Sequence, residues 1–451
     1  MVQHVNDLET RLDSFSLAER RNALKELLDL AKSGKIPLPQ EQEIANLHCH
    51  TFFSYNSHGF SPTHIAWLGR KLGIRFMGIV DFDVLDGVEE FLDACQLAGV
   101  RGSAGMETRC FIPEFSSLVI NSPGEPGISY HMGAGFTNTP VDETTTKNLR
   151  AIRDRVQQRN QELFRKVKAF LQPLVIDYKK DVVPLTPAGN VTERHMVTVI
   201  FEQVLRQYQQ PLDFWSEKFS MDKDSLPDIQ NETVAFKNLI RKKLMKRGSI
   251  GYVPPTKDTF PLIDEVNRVI EHHQALPCVT WLDGTSEGEH AIDDLLALMI
   301  DKGAAALNII PDRNWNIPDP HLKEKKVNNL YQIVDHARQA HLPILVGTEM
   351  NSYGQVMVDD FSAPELEPIR KDFIDGAYFI YGHTQMQRLW QMGYQSDWTA
   401  RHLPTRKQKN DFYHQAGLLI KPTMTAHQAE NLISQDNEPK HVINQLKLSG
   451  D

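Results

Sequence analysis

ANLHCHTFFSYNSHGF, residues 45–60, closes a short apolar run, Ile44 to Leu47, with two histidines one residue apart. On a strand, residues i and i+2 share a face, so His48 and His50 project together while Cys49 turns away. Paired imidazoles at a strand end are metal donors, and in α/β barrels their partners come from the ends of other strands, far off in sequence. The texture after this stretch fits that architecture. Short apolar runs (Phe76 to Val80, Ile128 to Met132) alternate with segments of helical period such as PTHIAWLGRKLG, the pattern of βα units around a sheet.

Working outward, residues 1–43 read as a helical N-terminal extension. SLAE opens a helix over 16–33 with Leu24, Leu27, Leu28 and Ala31 on one face before Gly34. Residues 44–140 form the first part of the barrel. From 141 to 258 the strand signals give way to long charged stretches, KNLRAIRDRVQQRNQELFRKVKAFL and NETVAFKNLIRKKLMKRG, which predict a helical insert. The alternation resumes over 259–395 with the strand-like PCVTWL, AAALNII and PILVGTE; GAYFIY (376–381) also reads as strand-like. Residues 396–451 are polar and helix-prone, a docked C-terminal tail.

Further ionisable residues close the successive runs: Asp81 the second, Glu107 the third, His131 the fourth and Glu349 the run PILVGTE. Three imidazoles, His48, His50 and His131, with the two carboxylates Glu107 and Glu349 suit zinc, manganese or iron better than a cation that prefers oxygen alone. With NLHCHTFFSYNSHGFSP, GIVDFDVLDGVEEF, SAGMETRCFIPEF, YHMGAGF, GYVPPTKDTFPLIDEVNRVIEHHQALPCVTW and LPILVGTEMNSYG in this order over residues 44 to about 355, the chain resembles the polymerase and histidinol phosphatase (PHP) family. The resemblance implies a distorted seven-stranded (β/α)7 barrel that hydrolyses phosphoesters. The subgroup most resembled carries a helical insert and acts on nucleotide or oligonucleotide phosphates.

The resemblance implies that His48, His50, Glu107 and His131 are metal ligands, with Glu349 standing where the family has an aspartate. Four other ligand positions are altered. Phe82, Trp281 and Asn351 replace histidines, and an early aspartate is represented by His58 or Asn56. Phe and Trp cannot bind a metal, so one or two divalent ions are expected instead of three. The resemblance further implies that Asp81 orients an imidazole from behind the ligands, and that Arg194 and His195, in TERHM, grip substrate phosphate.

With 49 Lys and Arg against 58 Asp and Glu, a net charge of −9 argues against duplex nucleic acid or an anionic membrane as the main partner. Four cysteines without a CxxC pair indicate buried thiols in a reducing compartment, and no run approaches 18 apolar residues. The expected protein is thus soluble and cytoplasmic, its oligomeric state open. Two other signals compete. GTSEG (284–288) fits a nucleophile elbow, with Ser286 attacking and His383 as base. Arg241, Lys242, Lys243, Lys246 and Arg247 in RKKLMKRG make either a basic helix end favoured by the dipole or a phosphate contact. The expectation is a metal-dependent hydrolase of a small anionic, phosphorylated substrate. Its rivals are a barrel that has lost catalysis and serves binding or regulation, and a hydrolase of a non-phosphate bond.

Overall fold

A computed structural model describes residues 1–137, 141–256 and 259–449. The expected insert boundaries, at 140/141 and 258/259, border residues outside that set. Seven strands, β1 (Gln42–Cys49), β2 (Ile74–Phe82), β3 (Arg101–Phe111), β4 (Ile128–Phe136), β5 (Leu276–Trp281), β6 (Ala306–Ile309) and β7 (Ile344–Val346), form one sheet in sequential order. All neighbours run parallel except β4, which is antiparallel to both β3 and β5. A parallel bridge from Cys49 to Glu349 brings the chain after β7 alongside β1. The sheet is therefore a nearly closed seven-stranded barrel, as expected, distorted by its reversed fourth strand.

Local chemistry sets the elements that surround the sheet. The helix Pro62–Leu72 starts where Ser61 accepts the His64 N–H with proline in the first turn, and stops at Gly73 in the left-handed region, φ 68°. Asn46 stitches the barrel seam: its Nδ2 donates to Thr348 Oγ1 (2.8 Å) and its Oδ1 accepts the Thr348 N–H (3.2 Å). Gly347 lets the seam close, because a Cβ there would lie 2.4 Å from that of His48.

GAYFIY is helical, contrary to the strand reading, and lies within the helix Arg370–Trp390. A short apolar run cannot by itself distinguish a buried strand from a helix that is covered all round. This helix crosses the end of the barrel where the parallel strands begin. Tyr378 packs edge-on against Phe76 at the start of β2, and His383 Nε2 donates to Gly135 O at the end of reversed β4 (3.2 Å). The C-terminal helices lie behind it, with Trp390 Nε1 donating to Ala429 O (3.0 Å). At the N-terminus, Arg20 of the helix Leu17–Lys32 reaches into the barrel layer to form a buried ion pair with Glu90, which also accepts from Thr63 Oγ1 (2.7 Å).

Between β4 and β5 stand the helices Glu143–Phe170, Glu193–Gln207, Pro211–Phe219 and Thr233–Met245. They enclose an apolar cluster of their own, including Phe164, Ile200, Trp215 and Phe236, separate from the barrel core. Asn190 pins this layer to the barrel rim by donating to Phe82 O (2.7 Å) and Phe53 O (3.1 Å). All four cysteines are free and buried. Among the described residues, no helix is long and apolar enough to cross a membrane.

Candidate metal centre

His48, His50 and Glu107 converge at the carboxyl ends of β1 and β3, where Glu107 Oε2 lies 3.8 Å from His48 Nε2 and 3.7 Å from His50 Nε2. Among the described residues they are the one group of three or more His, Cys, Asp or Glu close enough to share an ion. Tetrahedral zinc with bonds of about 2.0–2.1 Å needs roughly 3.4 Å between ligand atoms, so the three stand slightly open around a cation-sized gap. Both Nε2 atoms are buried and have no hydrogen-bond partner. Each imidazole is oriented from behind. His48 Nδ1 faces Asn308 Oδ1 (2.8 Å), and His50 Nδ1 faces Ser54 Oγ (3.2 Å), whose own proton goes to Asp81 Oδ1 (2.6 Å). These contacts assign the ring protons to Nδ1 and aim both Nε2 lone pairs at the gap.

Electrostatics set the protonation of the three side chains. Burial lowers the pKa of His48, and lowers that of His50 further with the help of His48 and Arg313, so both rings are neutral. Burial, and then the charge of Glu349, raises Glu107 well above the carboxylate range. Asp81 anchors the loop after β1, accepting from Thr51 N (2.7 Å) and Thr51 Oγ1 (2.6 Å) as well as from Ser54. Its pKa still rises to about 6 through burial.

The other candidates stand apart from this cluster. His131 is on the opposite face of β4: Glu107 pairs with Met132, so side-chain alternation sends His131 outward with Thr108. There its Nε2 meets Asn267 Oδ1 (2.6 Å) on the outer helix Ile263–His272. His58 is exposed and stacked on Phe60, because Asn56 folds inward instead, donating to His50 O and accepting the His58 N–H, both at 2.8 Å. Glu349 reaches the cavity beside Glu107 but is ion-paired with Arg313 and accepts from Gln355 Nε2 (3.3 Å). It and Met350 lie in the left-handed region, φ 65° and 59°, a strained turn for non-glycine residues. His195 is a capping residue, its Nδ1 accepting the Thr192 N–H (3.1 Å) and its ring against Tyr55, and it is absent from the cavity wall. Arg194 does line the cavity, held by Asn238 Oδ1 (2.9 Å) and Ser352 Oγ.

The cavity, about 850 Å³, lies between the barrel mouth and the helical insert. Nine of its lining side chains are Lys or Arg and five are Asp or Glu, so it is cationic in an acidic chain. The basic run contributes Arg241, Lys242, Lys243, Lys246 and Arg247 to the wall. Glu107 is the member of the cluster that reaches the wall; Phe82, also on the wall, stacks on His50 with ring centroids 4.2 Å apart. The serine-nucleophile alternative finds no support. Ser286 caps the short helix Glu287–His290, while both ring nitrogens of His383 bond to backbone, at Gly135 O and Tyr394 N. Sequence reasoning missed Asn308, Ser54 and Arg313; the one legible clue was a polar Asn308 inside the apolar run AAALNII.

No family model matches the chain, and no curated protein matches it. Among solved structures, an amidohydrolase from Chromobacterium violaceum, with bound sulfate and no metal, is 12% identical with a TM-score of 0.47, covering 73% of this chain and 96% of that one. A candidate metal-dependent phosphoesterase from Bifidobacterium adolescentis is 17% identical with a TM-score of 0.45, covering 74% of this chain and 98% of that one.

Proposed function

We propose that this protein is a PHP-like, metal-dependent phosphoesterase acting on a small anionic substrate through a reduced centre on His48, His50 and Glu107. The observation that carries the reading is the convergence of two unpartnered Nε2 atoms on a buried carboxylate beside a cationic cavity. The residues fit a divalent transition ion: two neutral imidazoles and one carboxylate are the donor set of a catalytic site with an open position. Bound there, such an ion supplies a water acidic enough to ionise near neutrality and a Lewis acid for a phosphoryl oxygen. Asn308 and the Asp81–Ser54 relay hold the imidazoles in the ligating tautomer. Arg194 and the basic wall attract and orient the anionic group, and the cavity's size suits a metabolite.

One observation favours a second reading, a binding or regulatory barrel without catalysis: Phe82 stands at the wall against His50, where a further ligand would be needed for a fuller metal set. Elemental mass spectrometry of protein purified without added metal or chelator, together with phosphate release from a panel of phosphomonoesters, decides between them. The expected result is about one zinc, manganese or iron per chain and phosphate release that a chelator abolishes. Metal without release from any substrate favours the binding reading, and no metal even after titration refutes the centre. Cleavage of amides with no phosphate release would move the activity to a non-phosphate bond.

A further inference from the structure

We infer that Arg313 occupies the role of a second metal ion, neutralising Glu349 and presenting its remaining N–H groups to the anionic group of the substrate, so that the centre works with a single ion. The inference rests on the metal-centre reading above. Arg313 lies on the short helix Asp312–Trp315 just after β6, and its Nη2 contacts Glu349 Oε2. Its side chain is 39% exposed and lines the same cavity as Glu107 and Glu349. The pair with Glu349 uses one edge of a guanidinium that carries five donors, and the rest opens into the cavity.

Two further points keep Glu349 with this guanidinium and away from an ion of its own. Glu349 cannot ligate an ion through Oε2 without giving up both Arg313 and Gln355. A second dication at Glu349 would also meet the guanidinium as a like charge. In two-ion hydrolytic sites the second ion clamps an oxygen of the substrate. A planar guanidinium does the same for phosphate with paired N–H donors and needs no ligand shell of its own.

The test is calorimetric titration of metal-free full-length protein with Mn²⁺, followed by titration of the Mn²⁺-loaded protein with inorganic phosphate. Wild type is expected to take up about one equivalent. Arg313→Met releases Glu349, so Mn²⁺ uptake should rise toward two equivalents or the single site tighten about tenfold, while phosphate binding weakens about 10- to 100-fold. Arg313→Lys keeps the charge and should retain single-ion uptake. Unchanged Mn²⁺ uptake and unchanged phosphate affinity in Arg313→Met overturn the inference. If that variant does not fold, Glu349→Gln serves: one equivalent at wild-type affinity supports the inference, whereas loss of the first ion makes Glu349 a ligand and overturns it. No Mn²⁺ uptake by wild type would instead refute the metal centre, and this inference with it.

Discussion

Glu107 is a buried carboxylate whose neighbours are two histidine nitrogens carrying no proton and a second carboxylate. Without a cation, its ionised form is unfavourable in the folded state. Its folded pKa is raised above the ordinary 4.5 by burial and by Glu349, so the folded chain holds this proton more tightly than the unfolded chain. In the metal-free protein, stability is full below about 4.5 and is lost as pH rises toward the raised value. Glu107→Gln keeps the shape and removes the charge. At pH 8 with a chelator, the variant should therefore be more stable than wild type by about 1–3 kcal/mol, the cost of an unsatisfied buried polar group. At this chain length that corresponds to a rise in Tm of about 1–3 °C. With metal the order reverses. An ion at one thousand times its Kd stabilises wild type by about 4.1 kcal/mol, more than the variant's advantage, and the variant, lacking the anionic ligand, gains little. Thermal unfolding followed by circular dichroism, with chelator and with Mn²⁺, reads both halves. A variant less stable than wild type in chelator, or one stabilised equally by Mn²⁺, would refute the reasoning.

Three other perturbations probe the supporting shell. Ser54→Ala removes the link between Asp81 and His50 and should weaken metal affinity about 10- to 100-fold without unfolding the chain; competition with a chromogenic chelator measures it. Burial raises Asp81 from 3.8 to about 6, so wild type loses stability as pH climbs from about 4 to about 6 and is level above. Asp81→Asn lacks that segment, and the difference in unfolding free energy between the two chains should change by about 3 kcal/mol across the window. A constant difference in urea unfolding would refute the raised pKa. Ser286→Ala should leave phosphate release within about twofold of wild type, because a helix cap away from the centre affects stability alone.

The sequence disclosed the parts of this site that depend on parity within one strand and hid those that depend on pairing between strands. His48 and His50 share a face by spacing alone, and Glu107 ends an apolar run. His131 lies in an equally convincing run, but which parity of β4 faces inward is decided by its register against β3, where Glu107 meets Met132. A one-residue difference in register exchanges the two faces. Arg313 and Ser54 were hidden for another reason. They sit on a short helix and a loop beyond strand ends, where no periodicity marks orientation, and only the barrel's closure brings β6, β7 and β1 together. GAYFIY misled because a helix buried on every side leaves no amphipathic trace.

The histidines of this one chain provide an internal comparison for the metal centre. His383 is as deeply buried as His48, yet both of its nitrogens are bonded to backbone groups, the arrangement expected of a histidine kept for structure. His131 is bonded at Nε2 and leaves Nδ1 unpartnered, but among the described residues it belongs to no group of three or more His, Cys, Asp or Glu close enough to share an ion. His48 and His50 differ from both. Each spends one nitrogen on an orienting partner and leaves the other pointing at the same carboxylate. Unsatisfied buried groups cost about 1–3 kcal/mol each, a large share of a total stability that is usually about 5–15 kcal/mol. A fold could lower that cost with one substitution, such as Glu107→Gln. Retaining all three groups, with separate devices fixing the tautomer of each ring, is the arrangement expected of the proposed metal centre, in which a bound cation offsets that cost.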